Sequence, residues 1–285
     1  MPDSTSTKIP ELLLNTGARI PQLGFGVWEI PADDAERVVS QALEAGFRHI
    51  DTAAAYENEE GVGRAIAASG IPRDELFVTT KLWNRDHGTE EAKRAIDASL
   101  EKLGLDHVDL YLIHWPVPSQ DRFVETWQAL ETFNVAGLAK AVGVSNFTEQ
   151  HLERVLNEGT LVPAANQIEV HPLNSQISLR AWHGERGILT EAWSPLAQSR
   201  LNDDPAVTKI AEAHGVDVGQ VLLRWNLHLG NVVLSRSKTP ERIRSNAQVL
   251  GFELTTDEIA TISALDQGSR GGPDPETFKV GAQEK

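Results

Sequence analysis

Short apolar runs that do not alternate with polar residues recur along the chain, separated by segments of helical period. FRHI, LFVTT, VDLYLI, KAVGV, NQIEV, ILTEAW and NVVLS are of this kind. A strand with one face in water alternates polar and apolar residues. A run without alternation suits a strand covered on both faces, as in a parallel sheet. Between the runs, Asp33 to Gly46 places Val38, Val39, Ala42 and Leu43 on one helical face. Thr89 to Gly104 does the same with Ala92, Ala95, Ile96, Ser99, Leu100 and Leu103, and closes on glycine. With PQLGFGVW as the first, eight strands are expected, each followed by a helix or a helix-bearing loop.

Eight βα units predict an α/β protein folded as a (β/α)8 TIM barrel. A doubly wound sheet is the alternative, but no G-x-G-x-x-G follows a strand, and Gly24-Phe25-Gly26 lacks the third glycine. ELLLNTGARIP predicts an N-terminal β-hairpin turning at Asn15-Thr16-Gly17, set before the barrel. From Gln267 onward the chain is rich in Gly, Pro and polar residues, which predicts an irregular C-terminal tail. No linker divides residues 1–285, so one domain is expected over the whole length.

The formal net charge of −15 argues against nucleic acid and against anionic membrane surfaces as partners, since both attract basic patches. The chain has no cysteine, which removes disulfides, thiolate nucleophiles and cysteine-based metal sites. No metal site is expected. MPDSTSTKIPELLLN has no basic start and only a three-leucine apolar run, so it does not read as a signal peptide. No stretch approaches the ~20 apolar residues of a membrane-spanning helix. A soluble, cytoplasmic monomer is the expectation.

Active sites of this barrel lie at the C-terminal ends of the strands. There the sequence places Asp51, with Tyr56 in the loop that follows, then Lys81 and His114 on the next two strands. Each has a plain structural alternative: a helix cap, a surface aromatic, a solvated strand end and a hydrogen-bonded core histidine. Four such residues on consecutive strand ends make chance the weaker explanation. A phenol is a poor acid at neutral pH, and a neighbouring ammonium is expected to lower its pKa. Tyr56 is thus the candidate proton donor, Lys81 its ammonium, and Asp51 the counter-charge. His114 is placed to stabilise a carbonyl oxygen as it becomes an alkoxide. A proton donor with an oxyanion partner suits carbonyl reduction, the hydride coming from a cofactor.

LSRSKTPERIRSN, from 234 to 246, is the most basic stretch, with Arg236, Lys238, Arg242 and Arg244. Thr239 suits an N-cap and Pro240 the first helical position, so a helix starts beside these charges. Such a helix start with arginines fits the 2′-phosphate of NADP; a solvated basic helix end is the structural alternative. Four of the seven tryptophans, Trp28, Trp83, Trp115 and Trp193, fall at strand ends on the same face. They fit an apolar pocket, with one ring available to stack on nicotinamide.

GFRHIDTAAAYENEEGVG, LYLIHWP, GVSNF, NQIEVHP and the spacing Ser237…Arg242…Asn246 resemble the aldo-keto reductases, over about Leu12 to Asp266. The nearest likeness is to the prokaryotic branch containing the 2,5-diketo-D-gluconate reductases. The resemblance implies an NADPH-dependent reductase of aldehydes and ketones, with dicarbonyls and keto sugars among the expected substrates. It implies a tetrad of Asp51, Tyr56, Lys81 and His114. It further implies that Ser145, Asn146 and Gln167 hold the nicotinamide carboxamide and that Trp193 lies under the ring. Ser194 and Leu196 follow in the same cofactor set, Arg236, Ser237 and Arg242 bind the 2′-phosphate, and Asn246 lies near the adenine. Trp28, Trp83 and Trp115 become pocket walls. The family commonly reads Pro-Lys-Ser before the phosphate helix, whereas this chain reads Ser235-Arg236-Ser237. Phe278 in the tail is a candidate substrate contact.

Two other classes are weighed. GVSNF begins like a nucleophile elbow, but Phe147 stands where G-x-S-x-G needs glycine. A barrel glycosidase wants two facing carboxylates, for which Glu169 and Glu191 are available, but His114 and the paired Asp51 fit that scheme poorly. A cofactor-sensing regulatory subunit is the remaining alternative, and the complete tetrad argues against it.

Overall fold

The computed structural model describes residues 9–283. Residues 1–8, which begin the stretch read above as lacking a targeting signal, lie outside the described residues. The strands are β1 (Glu11–Leu13), β2 (Arg19–Pro21), β3 (Leu23–Gly26), β4 (His49–Asp51), β5 (Phe77–Leu82), β6 (Val108–Ile113), β7 (Ala139–Ser145), β8 (Ala165–Glu169), β9 (Leu189–Trp193) and β10 (Val232–Ser235). β1 and β2 form the expected antiparallel hairpin. β3 to β10 close into a parallel barrel in chain order, β10 pairing with β3. The helices are α1 (Ala32–Glu44), α2 (Glu59–Ala68), α3 (Thr89–Leu103), α4 (Phe123–Val135), α5 (Glu149–Glu158), α6 (Ile177–Glu185), α7 (Pro205–His214), α8 (Val218–His228), α9 (Pro240–Ala247) and α10 (Thr256–Ser263). α3 ends where the sequence predicts, with Gly104 in the left-handed conformation, its N–H donating to the Glu101 carbonyl and that of Leu105 to the Leu100 carbonyl. No described helix is long and apolar enough to cross a membrane.

The unalternating runs have their expected cause, because both faces of each strand are buried. Outward residues such as Val78, Tyr111, Ile113, Val142 and Val144 pack with helix residues including Val38, Ile96, Leu100 and Trp127. Inward residues Phe77, Leu110, Leu112, Ala141, Ala165 and Val232 form a second cluster with Leu14 and Ile20 of the hairpin, which plugs the N-terminal end of the barrel. Each fully buried aliphatic of this kind contributes roughly 1.5–3 kcal/mol over an exposed one.

Near the C-terminal end the interior changes from apolar to ionisable. His49, Asp51, Lys81, Gln167 and Glu191 are all at most 3% exposed. The parallel register sets Asp51 beside Thr79 and Gln167 beside Glu191. Gly24 leaves room for this layer, since a Cβ there would lie 2.6 Å from His49 Nδ1. The tail from Gln267 has neither helix nor strand among its described residues, as expected.

Candidate active site

The proton-donor candidates come together at the C-terminal rim. Asp51 is the last residue of β4, Lys81 is near the end of β5, and His114 directly follows β6. After Asp51 the chain turns through a short 3-10 segment, Ala54–Tyr56, that brings the phenol back over the rim. Asn58, 1% exposed, pins this turn. It donates to the carbonyls of Val27 (2.9 Å) and Ile30 (3.0 Å) and accepts from the Thr52 hydroxyl.

Lys81 Nζ has three N–H donors and three acceptors around it: Asp51 Oδ1 at 2.6 Å, the Thr52 carbonyl at 2.8 Å and the Tyr56 hydroxyl at 3.4 Å. Asp51 Oδ2 accepts from Gln167 Nε2 at 2.9 Å. Both oxygens of Asp51 therefore accept hydrogen bonds, as a carboxylate does. Burial pushes its pKa up, and the Lys81 ammonium and the Gln167 N–H oppose that. Lys81 stays charged: burial alone disfavours the ammonium, but the Asp51 carboxylate and the Tyr56 oxygen outweigh it and raise its pKa.

Tyr56 differs from the expectation. Lys81 does act to lower the phenol's pKa, but burial is the larger effect and Asp51 adds to it, so the pKa lies above the ordinary value. Reduction needs the protonated phenol, and burial keeps that form at neutral pH. The tyrosine and histidine rings meet edge to face at 5.6 Å, and Trp83 also meets His114 edge to face, at 5.1 Å. Burial first, then Lys81, holds His114 well below its usual pKa, so the imidazole is neutral. Its Nδ1 is buried without a partner among the described residues.

The residues expected at the nicotinamide form one bonded group, joined to the tetrad. Ser145 Oγ donates to the Gln167 carbonyl at 2.9 Å. Asn146 Nδ2 donates to Ser145 Oγ and to the His114 carbonyl, and its Oδ1 accepts from Trp193 Nε1 at 2.9 Å. The Trp193 ring is thereby fixed to the strand end carrying Asn146. Ser194 begins the turn after β9, and Leu196 packs there between the outer apolar clusters.

The basic stretch lies across the rim. Thr239 holds the N-cap position of α9 and Pro240 follows, but the threonine hydroxyl makes no cap bond. Instead, Ser237 Oγ accepts the Thr239 N–H at 3.1 Å, because the chain turns two residues before the helix. Arg242 is exposed on α9 and Asn246 is buried further along it. Arg236 donates from Nε to the Trp28 carbonyl (2.7 Å) and from Nη2 to Glu29 (2.6 Å), with its guanidinium over the Trp28 ring. Trp28 itself is 50% exposed. Trp115 is buried against Phe278, ring centroids 4.3 Å apart, and Asn84 Nδ2 donates to the Val280 carbonyl at 2.8 Å. The irregular tail thus crosses the rim beside the pocket-wall tryptophans.

Two carboxylates weighed for a glycosidase have other work. Glu169 accepts the N–H groups of Gly271 (2.6 Å) and Gly272 (3.1 Å), anchoring the tail, and contacts His171. Glu191 accepts from Gln167 Nε2 at 2.8 Å, and its other oxygen lies 3.6 Å from His49 Nε2. The sequence reading gave Glu191 no place beside the tetrad. The available signal was an acid inside the apolar run ILTEAW, two residues before Trp193. A concavity of about 1440 Å³ lies on the opposite face around Arg19, Arg48, Asp109 and Lys140. Asp109 there is paired with Arg73 and Lys140, whereas the buried ammonium in contact with a phenol lies at the rim.

The model of the aldo/keto reductase family matches residues 22–267. An aldo-keto reductase of Mycolicibacterium smegmatis is 53% identical over 269 residues, 94% of this chain and 98% of that protein. The methylglyoxal reductase DkgA of Yersinia pestis is 47% identical over 95% of this chain and 98% of its own. Among solved structures, a mutant of Gox0644 in complex with NADPH superposes with a TM-score of 0.92 at 42% identity, covering 95% of this chain and 99% of that one. With a family match across the barrel and relatives of this identity over nearly the whole length, the chain belongs to the aldo/keto reductase family.

Proposed function

We propose that this member of a family of NADP-dependent oxidoreductases reduces small aldehydes and dicarbonyls, keto sugars among them, with Tyr56 as proton donor. The observation that carries the reading is the buried Lys81, whose ammonium is bonded to Asp51 and reaches the Tyr56 hydroxyl. The name of the Yersinia pestis relative, a methylglyoxal reductase, supports a small dicarbonyl, and the aromatic walls Trp83, Trp115 and Phe278 suit an apolar-sided substrate.

The residues present fit NADPH. Gln167 and Trp193 would hold and stack the nicotinamide, beside Ser145 and Asn146, with Ser194 and Leu196 along the dinucleotide. Arg236, Ser237 and Arg242 would take the 2′-phosphate, and Asn246 the adenine end. The Gln167 oxygen and the arginines at the start of α9 are polar groups this arrangement would use. When bound, NADPH supplies the hydride. The chain's own residues do the rest. Neutral His114 donates a hydrogen bond to the carbonyl oxygen, polarising it as charge develops. Tyr56 gives its proton to that oxygen, and Lys81, held by Asp51, stabilises the phenolate left behind. All these groups come from one chain, which supports a functional monomer.

The test is turnover of NADPH by wild-type protein and by Tyr56→Phe over a panel of aldehydes, dicarbonyls and keto sugars. A loss of about 10²–10⁴-fold in kcat with NADPH affinity near normal is expected. Full activity in Tyr56→Phe would remove the assigned donor. NADPH binding by wild type without turnover of any carbonyl would favour the regulatory alternative.

A further inference from the structure

Gln167 is the one residue expected at the carboxamide that keeps a free polar atom. Asn146 is engaged at both ends of its amide by Trp193, Ser145 and the His114 carbonyl. Ser145 donates to the Gln167 carbonyl and accepts from Asn146. The –NH2 of Gln167, by contrast, has two N–H groups and two carboxylates to receive them: Asp51 Oδ2 at 2.9 Å across the barrel and Glu191 Oε2 at 2.8 Å on the neighbouring strand. Both carboxylates are buried, 3% and 0% exposed. Its Oε1 accepts no hydrogen bond among the described residues. An amide can be turned end for end, and the choice is set by its surroundings. Turning this one would set its oxygen against the Asp51 carboxylate, which accepts from Lys81 and has only acceptors to offer.

We infer that Glu191 is a positioning residue: with Asp51 it fixes the Gln167 –NH2 downward into the barrel, so that Gln167 Oε1 is presented at the rim to accept an N–H of the nicotinamide carboxamide. Asp51 alone fills one N–H and leaves the second without a partner, so in this orientation a buried donor would be unsatisfied. Glu191 supplies the second acceptor, and the parallel register that sets it beside Gln167 builds the device into the barrel. The inference rests on the reading of the chain as an NADPH-dependent reductase, since it specifies how one end of that cofactor is recognised.

Binding of NADP+ and of its 3-acetylpyridine analogue, measured by calorimetry, tests it. The analogue keeps the carbonyl of the carboxamide but has no N–H to donate. Wild type should bind NADP+ about tenfold more tightly than the analogue, the worth of one hydrogen bond. Glu191→Met, close to glutamate in shape but without an oxygen acceptor, should bring that ratio towards one. Glu191→Gln, whose amide oxygen still accepts from Gln167, should keep it. If Glu191→Met does not fold, Glu191→Leu is read in the same way. A wild-type ratio kept in the methionine or leucine variant overturns the inference, as does a ratio near one in wild type. Failure of wild type to bind NADP+ at all is a different result, and overturns the functional reading beneath it.

Discussion

Lys81 and Asp51 form an ion pair 2.6 Å long, 0% and 4% exposed at the side chain, on neighbouring strands of the barrel. A buried pair of this kind adds little net stability over an apolar pair, but removing one partner strands a charge out of water. Asp51→Asn would leave the Lys81 ammonium with neutral oxygens only. We expect a loss of about 3–5 kcal/mol in unfolding free energy. We also expect kcat to fall at least tenfold, because burial then drives Lys81 to shed its proton and the neutral amine no longer stabilises the Tyr56 phenolate. Denaturant midpoints and steady-state rates measured on the same preparation check this. A variant as stable and as fast as wild type would mean that the pair does neither job.

Most of this arrangement was readable beforehand, and the reasons are local. Strand runs buried on both faces and helices closed by glycine, as at Gly104, are short-range patterns. They led to the barrel and its rim, and so to Asp51, Lys81 and His114. The sign of the Tyr56 shift was not readable, because depth of burial is a property of the closed fold and it outweighs the one charge the sequence revealed. The place of Glu191 is hidden for a similar reason. Its partner Gln167 lies on another strand, and the need for two acceptors on one amide appears only when Asp51 reaches across the barrel. Nothing local pairs Glu29 with Arg236, which lies 207 positions away.

Glu191 makes stability depend on pH. Burial, then the Asp51 carboxylate, pushes its pKa from 4.5 up to about 8. The folded chain therefore holds a proton that the unfolded chain releases, and stability falls as pH rises from the unfolded value towards about 8. Glu191→Gln cannot ionise and removes this dependence. Wild type and variant should match in acid and diverge by a few kcal/mol at pH above ~8. Thermal melts across that interval provide the measurement. A difference that stays constant with pH would show that Glu191 is ionised in the folded chain throughout.

Glu29 competes for an arginine that the 2′-phosphate would use. Its carboxylate lies 2.6 Å from Arg236 Nη2, with the two side chains 55% and 35% exposed. A pair this open is worth at most about 1 kcal/mol, which limits the effect of breaking it to roughly fivefold. Glu29→Gln should tighten NADP+ binding by up to that factor, more at low salt than at high, and leave NAD+ unchanged. Dissociation constants for both dinucleotides at two salt concentrations decide it. Equal tightening of NAD+ would place the effect somewhere other than the 2′-phosphate.

The tail should govern substrate affinity rather than the cofactor. Phe278 packs on Trp115, and Val280 is held by Asn84 directly after Trp83, so these two residues meet the pocket wall, while Glu276 and Gln283 bond to Thr148 and Arg122 outside it. Its upstream anchor, Glu169 on Gly271 and Gly272, is independent of these contacts. A chain ending at Pro275 should therefore keep the anchor, lose the aromatic cover, and retain its barrel. Removing one aromatic wall costs a bound apolar substrate about 1–3 kcal/mol, so KM should rise roughly five- to a hundredfold for bulky aromatic aldehydes. The rise should be smaller for methylglyoxal, which has too few carbons to reach Phe278. NADP+ affinity should stay the same, because Arg236, Ser237 and Arg242 are on other segments. Loss of NADP+ binding in the shortened chain would show that the tail supports the cofactor site instead.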